Sequence, residues 1–353
     1  MPMTDRRLPL ILLLMTVLVS AVSFIQMQPV SATFPGANGK IAFTRVAPAA
    51  ESERQIFTMN PDGSGLTQLT SDGANVWPRW SANGMKIVFQ SNRITPADTD
   101  GSWEIWVMNA DGSGQTQITF NASPVQNLYP AFSPDGSKIV FASDRAPSTN
   151  LDIWAMNADG SDPHRLTTDS AGEVNPVWSP DGSKIAFWRS GDIFVMNPDG
   201  SGQTDISTDQ NATDEFPEWS PDGQMIAFDS FPSRAIWVMN ADGSGRTQLS
   251  NPPSSPIVDL YPAWSPDGTK IAFFRGVDSI WVMNADGSDP VDITVSQPNS
   301  DTDFAPNWQP IISPVGGVAI PVNKLVILAP YLALLGLFGA VTVASAASRR
   351  RKT

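Results

Sequence analysis

The chain alternates short apolar runs with polar turn segments, and between its two ends it holds no long amphipathic stretch. Runs such as Lys86-Ile-Val-Phe89 and Ile105-Trp-Val-Met108 are apolar at successive positions and are bounded by Asp-Gly or Asn-Gly steps. Short runs between such boundaries predict β-strands, and the missing alternation predicts sheets covered on both faces.

The runs recur. Met-Asn-(Ala/Pro)-Asp-Gly-Ser begins at Met59, Met108, Met156, Met196, Met239 and Met283, at intervals of 40 to 49 residues. A second string, aromatic-Ser-Pro-Asp-Gly, starts at Phe132, Trp178, Trp219 and Trp264, with the variant Trp80-Ser-Ala-Asn-Gly84. A Lys-Ile-(Ala/Val)-Phe run follows at Lys86, Lys138, Lys184 and Lys270, with Gln224-Met-Ile-Ala-Phe228 as a variant. Each unit therefore reads as four strands, A to D, with Asp-Gly supplying the positive φ of the A–B and C–D turns. Small antiparallel sheets that bury both faces do so by stacking around an axis. The last A-type strand, Ala305-Pro-Asn-Trp308, has no B strand after it, and the first B-type strand, Lys40-Ile-Ala-Phe43, has no A strand before it. The predicted architecture is all-β: a six-bladed β-propeller closed by a C-terminal strand that completes the N-terminal blade.

The ends read differently. Residues 1–32 have a basic Arg6-Arg7 start, an uncharged apolar stretch and Val30-Ser31-Ala32, the pattern of a signal peptide. Residues 33–310 form the propeller and 311–324 a linker. Leu325 to Ala347 is uncharged and long enough for a transmembrane helix, and the 348–353 tail is basic. By the positive-inside rule that tail is cytoplasmic, leaving a single-pass protein at the cell membrane with its propeller outside. The stretch Pro314 to Lys324 resembles tails that anchor prokaryotic surface proteins.

Composition narrows the chemistry. Absent cysteines exclude disulfides and thiolate catalysis, and the one histidine, His164, leaves little for a zinc site or a Ser-His-Asp triad. The formal charge is −13, and nearly all the acids lie in the propeller, which disfavours nucleic acid as a partner.

The pattern Pro-x-Trp-Ser-Pro-Asp-Gly-x-Lys-Ile-Ala-Phe, followed by Ile-Trp-Val-Met-Asn-x-Asp-Gly-Ser and Gln-Leu-Thr, resembles the TolB-type propeller repeat across residues 35–310. That resemblance implies an extracytoplasmic propeller that binds proteins at the envelope. The expected function is a non-catalytic binding scaffold whose partner is an envelope or extracellular protein, or a basic peptide segment of one. The alternative is an envelope polysaccharide binder, with or without lyase activity. Related repeats also occur beside peptidase domains, but the Gly-x-Ser-x-Gly elbow those carry is absent from this sequence.

Three groups of residues are candidates for binding. Three positions before the strand-A proline stand Asn75, Asn127, Glu173, Asp214, Asp259 and Asp303. One per blade, they are expected to ring the mouth of the central channel, where Glu173, Asp214, Asp259 and Asp303 would hold Ca²⁺ or a Lys- or Arg-bearing segment. The competing reading is that each caps its own D–A turn. After strand B comes one arginine per blade: Arg45, Arg93, Arg145, Arg189, Arg234 and Arg275. These read either as ion-pair partners of acids opening strand C, such as Glu104, Asp152 and Asp192, or as guanidinium forks for a carboxylate or anionic glycan. Most tryptophans repeat at fixed strand positions and read as interblade packing, whereas Trp77, Trp103 and Trp188 fall off those positions and read as contact surface. The Asn-x-Asp-Gly-Ser strings copy half of a calcium loop but lack its twelfth-position acid, so they read as turns, without cofactor. Asn211-Ala-Thr213 and Asn121-Ala-Ser123 are glycosylation sequons.

Overall fold

The computed structural model describes residues 37–46, 54–96, 101–121, 124–146, 150–209, 211–253, 256–276, 278–294 and 302–311. The expected signal peptide (1–32) and the expected transmembrane helix (325–347) lie outside them. No helix among the described residues is long and apolar enough to cross a membrane.

Six four-stranded antiparallel sheets make up the described fold. Blade 1 is built from both ends of the propeller: Thr302–Ile311 is its strand A, followed by Ala37–Val46, Arg54–Met59 and Thr67–Gln68. The closing strand pairs in register with the first, for instance Ile41 opposite Trp308. Blades 2 to 6 then follow in sequence, their A strands being Asn75–Trp80, Asn127–Phe132, Glu173–Trp178, Thr213–Trp219 and Asp259–Trp264. Strand D is only two residues long in every blade, such as Thr67–Gln68, shorter than the Thr-Gln-Leu-Thr segment suggests.

The apolar run of strand B has a packing reason. The buried side chains form six clusters, one at each blade interface. Within Lys86-Ile-Val-Phe89, Ile87 and Phe89 pack toward blade 1, while Val88 packs toward blade 3. Ile41 and Phe43 likewise face blade 6, and Ala42 faces blade 2. Each strand B thus sends large side chains backward and a small one forward, so wedge-shaped gaps between blades are filled at the density of a crystal. Phe43, Phe89, Phe141, Phe187, Phe228 and Phe273 are fully buried, at about 2–3 kcal/mol each.

The C–D turn joins neighbouring blades. In the third blade Asn157 accepts from the Gly160 N–H at 2.9 Å, and Asp159 Oδ1 accepts from the Ser161 N–H at 2.9 Å. Gly160 has φ +87°, and a Cβ there would lie 2.2 Å from the Ile118 carbonyl oxygen of blade 2. Gly63 stands in the same relation to Ile293 and so completes the ring. Gly136, in an A–B turn, has φ +69° and nothing within 4 Å of such a Cβ. Gly160→Ala is therefore expected to cost ~2–4 kcal/mol, from strain and the lost interblade approach. Gly136→Ala adds strain alone, ~1–2 kcal/mol. Urea midpoints of the two variants should differ, and equal midpoints would remove the interblade argument.

Candidate functional site

The two rings of candidate residues turn out to be one set of contacts. Asn75, Asn127, Glu173, Asp214, Asp259 and Asp303 open strand A and are all buried. Each binds a guanidinium of its own blade. Arg45 forks onto Asp303 with both bonds at 2.6 Å, and Arg275 onto Asp259 with both at 2.7 Å. Arg189 donates to Glu173 through Nε at 2.6 Å, Arg93 to Asn75 Oδ1 at 2.6 Å, and Arg145 to Asn127 Oδ1 at 2.7 Å.

Every one of these guanidiniums also lies between two aromatic rings, one from strand B and one from strand C. Arg93, for example, sits 5.8 Å from Phe89 and 4.3 Å from Trp106, and Arg275 sits 5.1 Å from Phe273 and 4.8 Å from Trp281. A planar cation between two π faces, with its edge on a fork-shaped acceptor, satisfies all its faces at once.

Blade 5 departs from the expectation. Arg234 makes none of these contacts. Arg246, reaching back from the C–D turn, pairs with Asp214 and lies 5.0 Å from Phe228 and 4.9 Å from Trp237. Arg45, Arg189 and Arg275 enter two residues after the strand-B phenylalanine, and Arg93 and Arg145 enter four after it, over Ser91 and Ser143 at 3.1 Å. The guanidinium position is constant although its place in the sequence is not.

The expected channel-mouth ring must be corrected accordingly. Glu173, Asp214, Asp259 and Asp303 do not converge as cation ligands, because each is consumed by an arginine inside its blade. Among the described residues no group of three His, Asp or Glu side chains is placed to hold a metal ion. Nor do Arg45, Arg93, Arg145, Arg189 and Arg275 present forks to a ligand. The acids opening strand C have other hydrogen-bonding and ion-pair partners: Glu104 accepts from Asn127 of the next blade at 2.8 Å, and Asp152 pairs with Arg165 at 2.9 Å. Neighbouring blades explain the amides too. Asn75 donates to Gln55 Oε1 at 3.0 Å while accepting from Arg93, a dual role no carboxylate could fill. With amides rather than carboxylates on their forks, Arg93 and Arg145 are lowered from the usual guanidinium range by burial.

What does line the axis is the next part of strand A. Trp77, Tyr129, Asn175, Phe216, Tyr261 and Ala305 all have φ between 52° and 57° and precede a proline. A positive φ is costly there, ~1–2 kcal/mol each, and the register slips at this point in strand A. The kink brings four of these aromatic residues together. Trp77 stacks on Phe216 across the ring at 5.2 Å, Tyr129 and Tyr261 each meet Trp77 edge-on at 5.1 Å, and Phe216 meets Tyr261 at 4.5 Å. Trp77 is thus part of an axial plug, not a contact surface. His164 is exposed on strand D of the third blade.

Beyond the plug, Arg79 of blade 2 reaches Glu218 of blade 5 at 2.6 Å, spanning the axis. On the Asp-Gly side of this bridge opens a funnel of about 100 Å³. Its wall is made of strand-A aromatic residues such as Trp178 and Trp219 and the prolines Pro134, Pro180, Pro221 and Pro266.

One cross-strand pair stands apart from the sixfold pattern. Glu215 lies directly opposite Asp229. The equivalent pairs are neutral: Val76 with Gln90, Leu128 with Ala142 and Val174 with Trp188. Leu260 faces Phe274, and Phe304 faces Thr44. Asp229 is fully buried, its Oδ1 accepts from the Tyr261 N–H at 3.1 Å, and its Oδ2 has no partner. Burial pushes the Asp229 carboxyl well above the ordinary range, with Glu215 and Asp214 adding to the effect; burial also raises Glu215.

Against this geometry the comparisons are clear about the fold. Residues 94–255 match the family model described as the TolB beta propeller domain. TolB from Acinetobacter baumannii superposes with a TM-score of 0.63 at 19% identity, covering 78% of this chain and 68% of that one. A chain of the nidogen/laminin complex gives 0.59 at 10% identity, with coverages of 77% and 98%. An oligogalacturonate lyase in complex with manganese gives 0.50 at 15%, with coverages of 71% and 73%. No curated protein matches the chain significantly. The protein carries a six-bladed β-propeller. Its repeats between residues 94 and 255 match the TolB-type domain model.

Two outcomes follow from the buried charges. Removing one partner of a latch, as in Asp259→Leu, should cost ~3–5 kcal/mol, whereas Arg275→Met with Asp259→Leu should recover much of it; thermal unfolding of single and double variants measures the coupling. For Asp229 the folded carboxyl is raised, so its favourable contribution belongs to acid solution and is lost as pH rises from the unfolded range through the folded one. Asp229→Asn keeps the acceptor for Tyr261 and should raise the melting temperature at pH 8, with the gain shrinking toward pH 4. A variant less stable than the parent at pH 8 would refute this.

Proposed function

We propose that the protein is a membrane-anchored scaffold whose propeller faces outside the cell and binds an envelope or extracellular protein, without performing chemistry on it. The observation that carries the reading is the funnel. Apolar and proline-walled, with a partly exposed Arg79–Glu218 bridge as its floor, it suits an apolar side chain flanked by polar groups on a partner segment. Its volume has room for one such side chain. TolB-type propellers imply protein binding, which agrees.

The polysaccharide reading has a lyase among the fold neighbours but less support from the surface. Trp80, Trp178, Trp219 and Trp308 line the funnel but are more than nine-tenths buried between blades, leaving little ring face for a sugar to stack on.

Wild-type protein should enrich a partner from an envelope fraction, and Pro180→Asp with Pro221→Asp, which places charge in the funnel wall, should reduce that capture at least tenfold. A glycan array run in parallel decides the alternative: strong glycan binding with no protein enriched would overturn the proposal.

A further inference from the structure

We propose that the Glu215–Asp229 pair of blade 5 binds a primary ammonium group, supplied by a lysine side chain of the partner polypeptide. The inference rests on the protein-binding reading and names one contact within it.

The sixfold repeat provides the argument. Five blades show what the fold requires at this pair, and none of them uses a charge. The N–H of the kinked strand-A residue needs only a neutral acceptor: Gln90 Oε1 takes the Tyr129 N–H at 2.7 Å, and Thr44 Oγ1 takes the Trp77 N–H at 3.2 Å. An aspartate at 229 is therefore more than capping needs, and a glutamate at 215 occupies a position that is elsewhere apolar. Directly opposed residues of an antiparallel pair share one face of the sheet, and like charges so placed repel. Blade 5 holds both without a counter-ion, since its latch arginine, Arg246, is already committed to Asp214.

The unpartnered Oδ2 of Asp229 marks where a donor is missing. Glu215, directly opposite, is only half-buried and is the member of the pair that meets solvent. The surroundings select the kind of cation. Calcium requires six to eight oxygen ligands, and this pair supplies two carboxyls near the phenol of Tyr261, whose ring packs on that of Phe216 at 4.5 Å. Aromatic faces with a carboxylate pair suit an organic cation. A compact ammonium, with three donors on a long flexible stem, reaches a half-buried site more readily than a broad planar fork.

Asp229 sits among Glu215, the Arg246-paired Asp214 and the phenol of Tyr261, while the Tyr129 phenol lies within the influence of Glu215. Because its carboxyl is raised, arrival of an ammonium should expel a proton to the solvent, leaving a carboxylate against the cation.

The test uses the full chain and the small probe Nα-acetyl-lysine methylamide, so it does not depend on capturing a partner. At pH 7 a saturating probe should raise the melting temperature on the order of 2–4 °C. Calorimetry in two buffers of different ionisation enthalpy should show proton release on binding. Glu215→Gln and Asp229→Asn should each abolish both signals while melting cooperatively, and the uncharged norleucine analogue and calcium chloride should produce neither. The assignment is overturned if calcium alone stabilises the protein, if norleucine matches lysine, if either variant still responds, or if the probe has no effect at the highest soluble concentration. Funnel-dependent capture surviving such a failure would leave the protein-binding reading intact, and its loss in the funnel variant alone would leave the ammonium site intact.

Discussion

In every blade a guanidinium lies between the strand-B and strand-C aromatic residues and binds the first polar side chain of strand A. In each blade the A–B turn joins one end of the first two strands, so the other end of that pair must be fastened by side chains. The arginine does this by touching all three inner strands. Because the contact is desolvated, neither partner tolerates the loss of the other. The strand-A carboxylate or amide is thereby fixed, and with it the kink that follows two residues later. The kink aims an aromatic side chain at the axis, and four such side chains close the channel. A surface-chemistry question, where the arginines point, thus governs whether the axis is open.

That dependence accounts for what could be read from the sequence. The six-bladed architecture, the closing strand and the interblade tryptophans were legible because they follow from local strings repeated six times, each with one structural meaning. Both residue rings were also visible as rings. Their pairing was not, since Asp303 and Arg45 are far apart in the chain and meet only after closure. Arg234 shows a second limit. It occupies the expected place after strand B, yet Arg246 supplies the cation, because six equivalent aromatic slots can be entered from several backbone positions. A long side chain decouples function from register. The axial kink left only a weak trace, an X-Pro step in each A strand, and a residue before proline ordinarily favours extended backbone.

Pseudo-symmetry also separates structural polar groups from others. Where all six blades place an equivalent group, as at the latch, the fold itself is sufficient explanation. Departures have to be explained one at a time. Arg79 and Glu218 replace small or neutral residues such as Ala131 and Ala263, but they neutralise each other across the axis. Glu215 and Asp229 have no such compensation.

Blade 5 gathers several of these departures: a latch arginine taken from the C–D turn, an arginine left outside the latch, and the opposed carboxyls. These are connected. Had the latch cation followed strand B, as in blades 1, 4 and 6, it would have come from position 230, where blade 5 has Ser230, which accepts from Arg246 at 2.8 Å. Drawing the cation from the far side of the sheet leaves the end of strand B with only an aspartate and a serine and keeps Asp214 neutralised. Positive charge is thus supplied to the latch and withheld from the neighbouring pair. An accidental excess of acid would gain from any arginine placed near it, yet Arg234, five residues after Asp229, acts on neither Glu215 nor Asp229. An acid pair held apart from an available cation is the arrangement expected where the counter-charge comes from another molecule.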